Sequence, residues 1–440
     1  MKRYEQYKDS GVSWIGEIPA HWKVCKTKYV ANLYTGNSLN DSQKEEYTRP
    51  ASDDTLPYIA TKDIVVDKDI INYFNGINIP KNGALKIAPV DTFLLCVEGG
   101  SAGKKMAYNT SSAYFVNKLC CFESRINPRF HYYFIKSHGY ANIFKQSIQG
   151  LIGGVSVSTL NNLEIAIPSN NEQQAIVRYL DCKVAKIDKL IAENEAQVKE
   201  LEKYRTAVIS EVVTKGLNPN VPMRDSGIQW IGEIPAHWDI LPLKRCLASH
   251  LMYGANETAE SDNPTFPRYI RITDIGENNT LRKDTYKTLS PSVAKDYMLQ
   301  KGDLLFARSG ATVGKTYLYN GEFEACFAGY LIKASFNSKM LPKYAYYFTQ
   351  TDAYNSWKNQ VFIQATIQNI GADKYSVLPI CVPPIEEQRA IISSIEDRIK
   401  NYNIVIEKLS EQIEELKAYK IALISEAVTG HIDVRDWQEK

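Results

Sequence analysis

The sequence has no apolar run approaching the roughly 18 residues that a membrane span requires. Its first ten residues, MKRYEQYKDS, are polar where a secretory leader would be apolar, so a cytoplasmic protein with no membrane role is expected. Its eight cysteines (Cys25, Cys96, Cys120, Cys121, Cys182, Cys246, Cys326 and Cys381) include no C-x-x-C pair and no nearby histidine partner, which argues against a metal site or a disulfide framework. The stretch GATVGKT (310–316) comes near a phosphate-cradling loop but has three residues between its glycines where that loop needs four. GGSAGKK (99–105) has the same short spacing, so both are read as tight glycine turns that carry a basic side chain to a surface. The one Pro-Pro pair, in CVPPIEEQ, has Val382 and Ile385 where a base-methylating pocket would place an Asn or Asp and an aromatic. NTPase and methyltransferase chemistry are thereby disfavoured, and no catalytic residue and no resident cofactor are assigned.

Charge of one sign is also scarce, with a net charge of +2 over 440 residues. Counted by segment it is +4 over 1–168, 0 over 169–215, +2 over 216–383 and −4 over 384–440. This bias permits a local phosphate-binding face without demanding one.

What the sequence does contain is itself, twice. DSGVSWIGEIPAHW (9–22) returns as DSGIQWIGEIPAHW (225–238). PYIATKDI (57–64) returns as RYIRITDI (268–275), FLLCVEGGSAGKKMAY (93–108) as LLFARSGATVGKTYLY (304–319), and PRFHYYFIKS (128–137) as PKYAYYFTQT (342–351). The order is the same in both halves, and 440 residues are enough for two to three domains. Short apolar runs such as KDIVV, TFLLCV, DLLFA and YSVLPICV, broken by Gly, Pro and Asn, predict α+β folding in each half.

Each half closes on a long helical pattern, NEQQAIVRYL onward and EEQRAIISSI onward. Apolar residues recur there at alternating steps of four and three, the spacing of a coiled-coil seam. In the first helix the seam runs through Leu180, Ile187, Ile191 and Leu201; in the second it runs through Ile399, Ile406, Leu409, Ile413 and Leu416. Arg205 and Lys420 interrupt the two stripes at equivalent places, so a parallel pairing would oppose two like charges and an antiparallel one is expected. The chain then divides into a first mixed α/β domain (1–168), a first spacer helix (169–215), a second mixed α/β domain (216–383) and a second spacer helix with the C-terminal tail (384–440).

The duplicated SGxxWxGEIPxHW stretch, the GDLLFARSGATVGK segment, and PPIEEQRAIISSIE leading into a heptad helix that ends LISEAVTG together resemble the specificity subunit of type I restriction-modification enzymes. The resemblance covers nearly the whole chain. It implies two target-recognition domains, each reading one half of a split, asymmetric DNA sequence, held apart by two long antiparallel helices. It implies no catalysis by this chain, two methyltransferase subunits and restriction subunits as partners, and S-adenosylmethionine, ATP and Mg²⁺ carried by those partners.

Within that reading, the near-identical stretches are candidate docking surfaces for identical partner subunits, through Trp14, Glu17 and His21 in the first half and Trp230, Glu233 and His237 in the second. A purely packing role for the two tryptophans is the competing reading. Candidate DNA contacts are side chains able to reach base edges or phosphates from loops. They are Lys62, Lys104, Lys105, Gln146, Gln149, Ser156 and Ser158 in the first half, and Arg271, Arg308, Lys315, Gln364, Thr366 and Gln368 in the second. Positions 271 and 308 correspond to Ala60 and Val97, so the halves are expected to read different sequences. Two rival functions stand beside this one: a coiled-coil adaptor with no DNA role, and a nuclease or methyltransferase with unrecognised motifs.

Overall fold

The computed structural model describes residues 2–66, 69–81, 85–150, 153–259, 261–276, 278–310, 313–363 and 369–438. The chain folds into two compact units, Met1–Asn194 with Glu411–Lys440, and Glu195–Ser410, so each long helix contributes to both.

In the first unit a hairpin of Tyr7–Asp9 and Glu17–Pro19 precedes a four-stranded antiparallel sheet, ordered Met106–Asn109, Thr92–Cys96, Leu119–Ser124, Ala31–Thr35. Thr92–Cys96 is buried at every position, as a continuous apolar run in a central strand should be. A second sheet, ordered Asn78–Pro80, Thr55–Ile59, Ala113–Phe115, Ile87–Ala88, includes a parallel pair with Tyr58 opposite Tyr114. Helix Pro128–Ile135 packs on the first sheet and His138–Gln146 packs against that helix, with Phe130, Phe134 and Phe144 buried.

The second unit repeats the plan. Its main sheet is ordered Met252–Tyr253, Leu331–Ala334, Leu304–Ala307, Thr316–Leu318, Arg268–Ile270 pairs parallel with Ala325–Phe327, and the helices are Pro342–Phe348 and Asp352–Ile363. The mixed α/β character expected from the short runs is therefore present in both units. Only the end of YSVLPICV forms a strand, Pro379–Val382, because its first residues close the helix Ala372–Ser376.

The long helices span Asn170–Lys215 and Ile385–Val428. Ser169 starts the first with a capping box: its hydroxyl accepts from the Glu172 amide, and the Glu172 carboxylate accepts from the Ser169 amide at 3.2 Å. The repeated glutamine one residue on ties each helix to its own unit. Gln173 is buried and donates to the Pro168 carbonyl while accepting from the Asn127 amide. Gln388, also buried, donates to the Pro383 carbonyl and accepts from the Leu341 amide. Glycines in the left-handed region end both helices, Gly216 at φ +75° beneath Trp238 and Gly430 at φ +78° beneath Trp22.

The apolar stripes are the buried faces. Leu180, Ile187, Ile191, Ile399, Ile406 and Ile413 are buried and Leu201, Leu409 and Leu416 half-buried, while most residues between them are exposed. Inside the first unit Asp188 meets Lys420, and Val184 and Ile424 line one cavity with Asp188. Inside the second, Arg205 reaches Asn403 and Ile209 packs in one core with Ile395 and Ile399. The helix segments within each unit thus run antiparallel, and the two seam cations meet Asp188 and Asn403.

Six of the eight cysteines are buried, and Cys25 and Cys182 are half-buried. Among the described residues, no helix is long and apolar enough to cross a membrane and no group of side chains is arranged to hold a metal ion.

Candidate nucleic-acid interface

Both glycine turns are built alike. Gly99 and Gly103 have φ of +83° and +72°, and Gly310 and Gly314 have φ of +77° and +81°. The Gly103 amide donates to the Cys96 carbonyl and the Gly314 amide to the Ala307 carbonyl, each at 2.8 Å. These amides close the turn on protein carbonyls, so they are not free to form an anion-holding nest. A helix side chain covers each turn: a Cβ at Gly103 would meet the Phe144 ring, and a Cβ at Gly314 would meet the Lys358 stem at 2.3 Å. The strand ladder also fixes the register of the lysines. Cys96 takes the Lys105 carbonyl and Ala307 the Lys315 carbonyl, so Lys315 matches Lys105 and Lys104 is the extra residue of the longer first turn.

In the second unit Lys315 stands half-buried beside Lys358 at a polar pocket. Arg308 is half-buried, with its guanidinium 4.9 Å from the Tyr253 ring centre and its Nε buried without a hydrogen-bond partner. Arg271 is turned inward. Its guanidinium holds the buried Asp274 through two nitrogens at 3.1 and 2.9 Å and also donates to the Thr285 carbonyl, which leaves little of its donor fork for DNA. Gln364, Thr366 and Gln368 lie outside the described residues.

In the first unit Lys62, Lys104, Gln146, Gln149, Ser156 and Ser158 are exposed. Three of the first-unit candidates, the half-buried Lys105 among them, carry structural duties. Lys105 donates to the Thr61 carbonyl at 2.7 Å, which draws the turn toward the Thr61–Asp63 segment where Lys62 sits. Gln149 pairs through its backbone with Gly154, and the Ser156 hydroxyl caps the helix Val157–Asn162 by accepting from Thr159.

The repeated opening stretches give another cluster, the same in both units. His21 Nε2 lies 2.8 Å from Glu172, and the fully buried Trp22 sends its indole N–H to that carboxylate at 3.4 Å. His237 lies 2.7 Å from Glu387, and Trp238 donates to Glu387 at 2.9 Å. Burial would raise the Glu172 carboxyl, but hydrogen bonds from His21 and Ser169 outweigh it and hold it below the usual range. The partners of the histidines are therefore helix-start glutamates about 150 residues away, while Glu17 and Glu233 are exposed. The tryptophans that staple the fold are Trp22 and Trp238, whereas Trp14 and Trp230 are only half-buried, Trp14 lying against Gly139 and the rings of Phe134 and Tyr140. His21 and His237 keep an exposed face.

Sequence reasoning missed Lys358, which no glycine turn adjoins in the sequence. The available signal was the repeat itself, since Lys358 stands where the first unit has Phe144, a charge in place of an aromatic.

One mixed α/β module written twice, each copy closed by a long helix and each carrying a basic glycine turn, is the build of a tandem recognition protein. The comparisons identify the class: the family model for the type I restriction modification DNA specificity domain matches residues 19–202 and 253–415, and the chain belongs to that family. It is similar to the StySPI type I restriction enzyme specificity subunit of Salmonella potsdam, with 23% identity over 95% of this chain and 90% of that one. It is likewise 23% identical to the EcoKI specificity subunit of Escherichia coli strain K12, with the same shares covered. A solved chain described under complex assembly and conformational transition of the type I R-M system shares the fold, with a TM-score of 0.59 and 15% identity over 94% of this chain and 99% of that one. The protein is accordingly a DNA-recognition subunit of a type I restriction-modification system, without catalysis of its own, the catalytic activities lying on partner subunits.

Proposed function

We propose that each unit reads one half of a split, asymmetric DNA target, and that the paired long helices act as the spacer that sets the distance between the half-sites. The reading assigns the four segments 1–168, 169–215, 216–383 and 384–440 to reader, spacer, reader and spacer. Two readers entering the major groove from one side meet the duplex about one turn apart, roughly 10 base pairs centre to centre. With about 3 to 5 base pairs read by each, an unread gap of about 5 to 8 base pairs remains.

The observation that carries this reading is a contrast within the repeat. The His–Glu–Trp cluster has the same partners in both units, whereas the side chains at the glycine turns differ in type. Surfaces that stay alike suit two identical methyltransferase subunits, and surfaces that diverge suit two different half-sites. The chain holds no cofactor in this reading; S-adenosylmethionine, ATP and Mg²⁺ belong to methyltransferase and restriction subunits, and the complex works in the cytoplasm.

A gel-shift of the chain with its methyltransferase partner on random duplex DNA tests the reading. Retention of DNA and no S-adenosylmethionine turnover by the chain alone are expected. Absence of DNA binding would favour the adaptor, and turnover by the purified chain would favour an enzyme.

A further inference from the structure

Arg308 follows directly on the strand Leu304–Ala307 and is held at three points. Its amide donates to the Tyr330 carbonyl at 3.0 Å, its carbonyl accepts from the Ile370 amide at 2.8 Å, and its guanidinium lies 4.9 Å over the ring centre of Tyr253. Tyr253 is fixed in turn, since its hydroxyl accepts from the Ala372 amide at 2.9 Å. A ring beneath a guanidinium takes its face and leaves the N–H donors in its plane, so this fork is oriented without being consumed. Arg271 is the opposite case, because its fork closes on Asp274 and the Thr285 carbonyl.

The first unit builds the same scaffold without this cluster. The Val97 amide donates to the Lys118 carbonyl and the Val97 carbonyl accepts from the Val155 amide, each at 2.9 Å, which are the two backbone bonds made at Arg308. Val97 therefore answers Arg308, and Lys118 answers Tyr330. Cys120 stands opposite Thr35 as Ile332 stands opposite Tyr253, so Thr35 answers Tyr253. The backbone is kept and all three side chains are replaced, with Val97 buried where Arg308 is half-buried. Tyr253 and Tyr330 expose large rings that the scaffold does not require, since Thr35 and Lys118 serve in their place. The lysine that follows each glycine turn behaves differently: Lys105 and Lys315 are lysine in both units. A contact to the phosphate backbone carries no sequence information and both readers can keep it, whereas a contact to base edges must change when the half-site changes. The divergence at Arg308 has the second character.

We propose that Arg308 reads a guanine in the half-site of the second unit, with Tyr253 as the residue that positions it. The inference rests on the DNA-reading function above and names the base that one arm of it recognises. Guanine follows from the chemistry of the fork, whose paired N–H donors match the O6 and N7 acceptors that guanine alone presents side by side in the major groove. The Arg308 Nε is buried, so the two Nη groups are the donors left for that acceptor pair. The brace fixes the plane of the fork before DNA arrives, which lowers the ordering cost of the contact. The first unit, with Val97 in this place, recognises its half-site without this contact.

The test uses the complex of this chain with its methyltransferase partner. Methylation-sensitive sequencing of a genome exposed to that complex gives the motif for wild type, Arg308→Met, Arg308→Lys, Tyr253→Leu and Tyr253→Phe. One G·C pair in one half-site should lose its preference over the other pairs in Arg308→Met, by about 5- to 150-fold, while every other position, including the whole of the other half-site, stays as in wild type. Arg308→Lys keeps the charge without the fork and should lose most of the same preference, which also covers the case in which Arg308→Met fails to fold. Tyr253→Leu should weaken that position alone, and Tyr253→Phe, which keeps the ring, should retain it. A tyrosine that only supports the fold would lower affinity and leave that position unchanged. Affinity for a duplex carrying the wild-type motif is then measured between 50 and 200 mM salt. A phosphate contact at Arg308 would lower the slope of log affinity against log salt by about 1 in Arg308→Met and leave the motif intact. That result overturns the proposal, as does an unchanged motif in both Arg308 variants or a relaxed position that is not a G·C pair. If the wild-type complex binds no duplex, the DNA-reading function is what fails, and this inference falls with it.

Discussion

The Lys420 ammonium lies 2.7 Å from the Asp188 carboxylate, which gives the cation that interrupts the second apolar stripe an acid on the first helix. Lys136, half-buried and paired with Asp69, stands close enough to feel both charges. Reversing Asp188 to Lys should therefore cost about 0.5–1 kcal/mol or more, and the double exchange Asp188→Lys with Lys420→Asp should recover part of it. Thermal melts of the two single variants and the double variant check this; additive losses would show that the pair is not coupled.

Gly430 and Gly216 close their helices in the left-handed region, but their surroundings differ. A Cβ at Gly430 would lie 2.4 Å from Pro19, whereas one at Gly216 would come no nearer than 3.1 Å to the Trp238 ring. Both substitutions to alanine incur backbone strain of about 1–3 kcal/mol. Gly430→Ala should be the more destabilising because it adds a clash against Pro19, and melting temperatures of the two variants rank them directly.

His131 is fully buried, accepts or donates one hydrogen bond at 2.7 Å to Ser124, and packs edge-on to Phe93 and Phe122. Burial pushes its imidazole from 6.5 down to about 3. Between those values the unfolded chain binds the proton and the folded chain does not, so stability rises with pH through this window and is lost as pH falls from about 6.5 toward 3. The matched residue of the second unit is Ala345. His131→Phe should flatten the dependence of melting temperature on pH below 6.5, and an unchanged slope would show that carboxylates alone set it.

The parts of this molecule that could be read in the sequence are those written by local rules. The 4,3 spacing marked the buried faces of both long helices, and the Pro followed by an acidic-Gln pair marked their starts to within two residues of Asn170 and Ile385. The antiparallel preference followed from the like charges of Arg205 and Lys420. What could not be read were partners fixed only by long-range folding. His21 finds Glu172 and not the nearby Glu17, because the strand Glu17–Pro19 displays Glu17 outward while the helix start brings Glu172 under Trp22. Arg271 was the reverse case, since its partner was in view: Asp274 lies three residues on in RITD, as Asp63 lies three residues on from Ala60 in ATKD. That acid caps the turn in both units, and in the second it also takes the arginine.

The central claim is that one chain carries two different readers. Methylation-sensitive sequencing of a genome exposed to the chain together with its methyltransferase partner measures this directly. The account predicts a split motif with two unlike half-sites of about 3 to 5 base pairs, separated by a fixed unread gap of about 5 to 8. A single continuous motif, or a palindromic one, would contradict it.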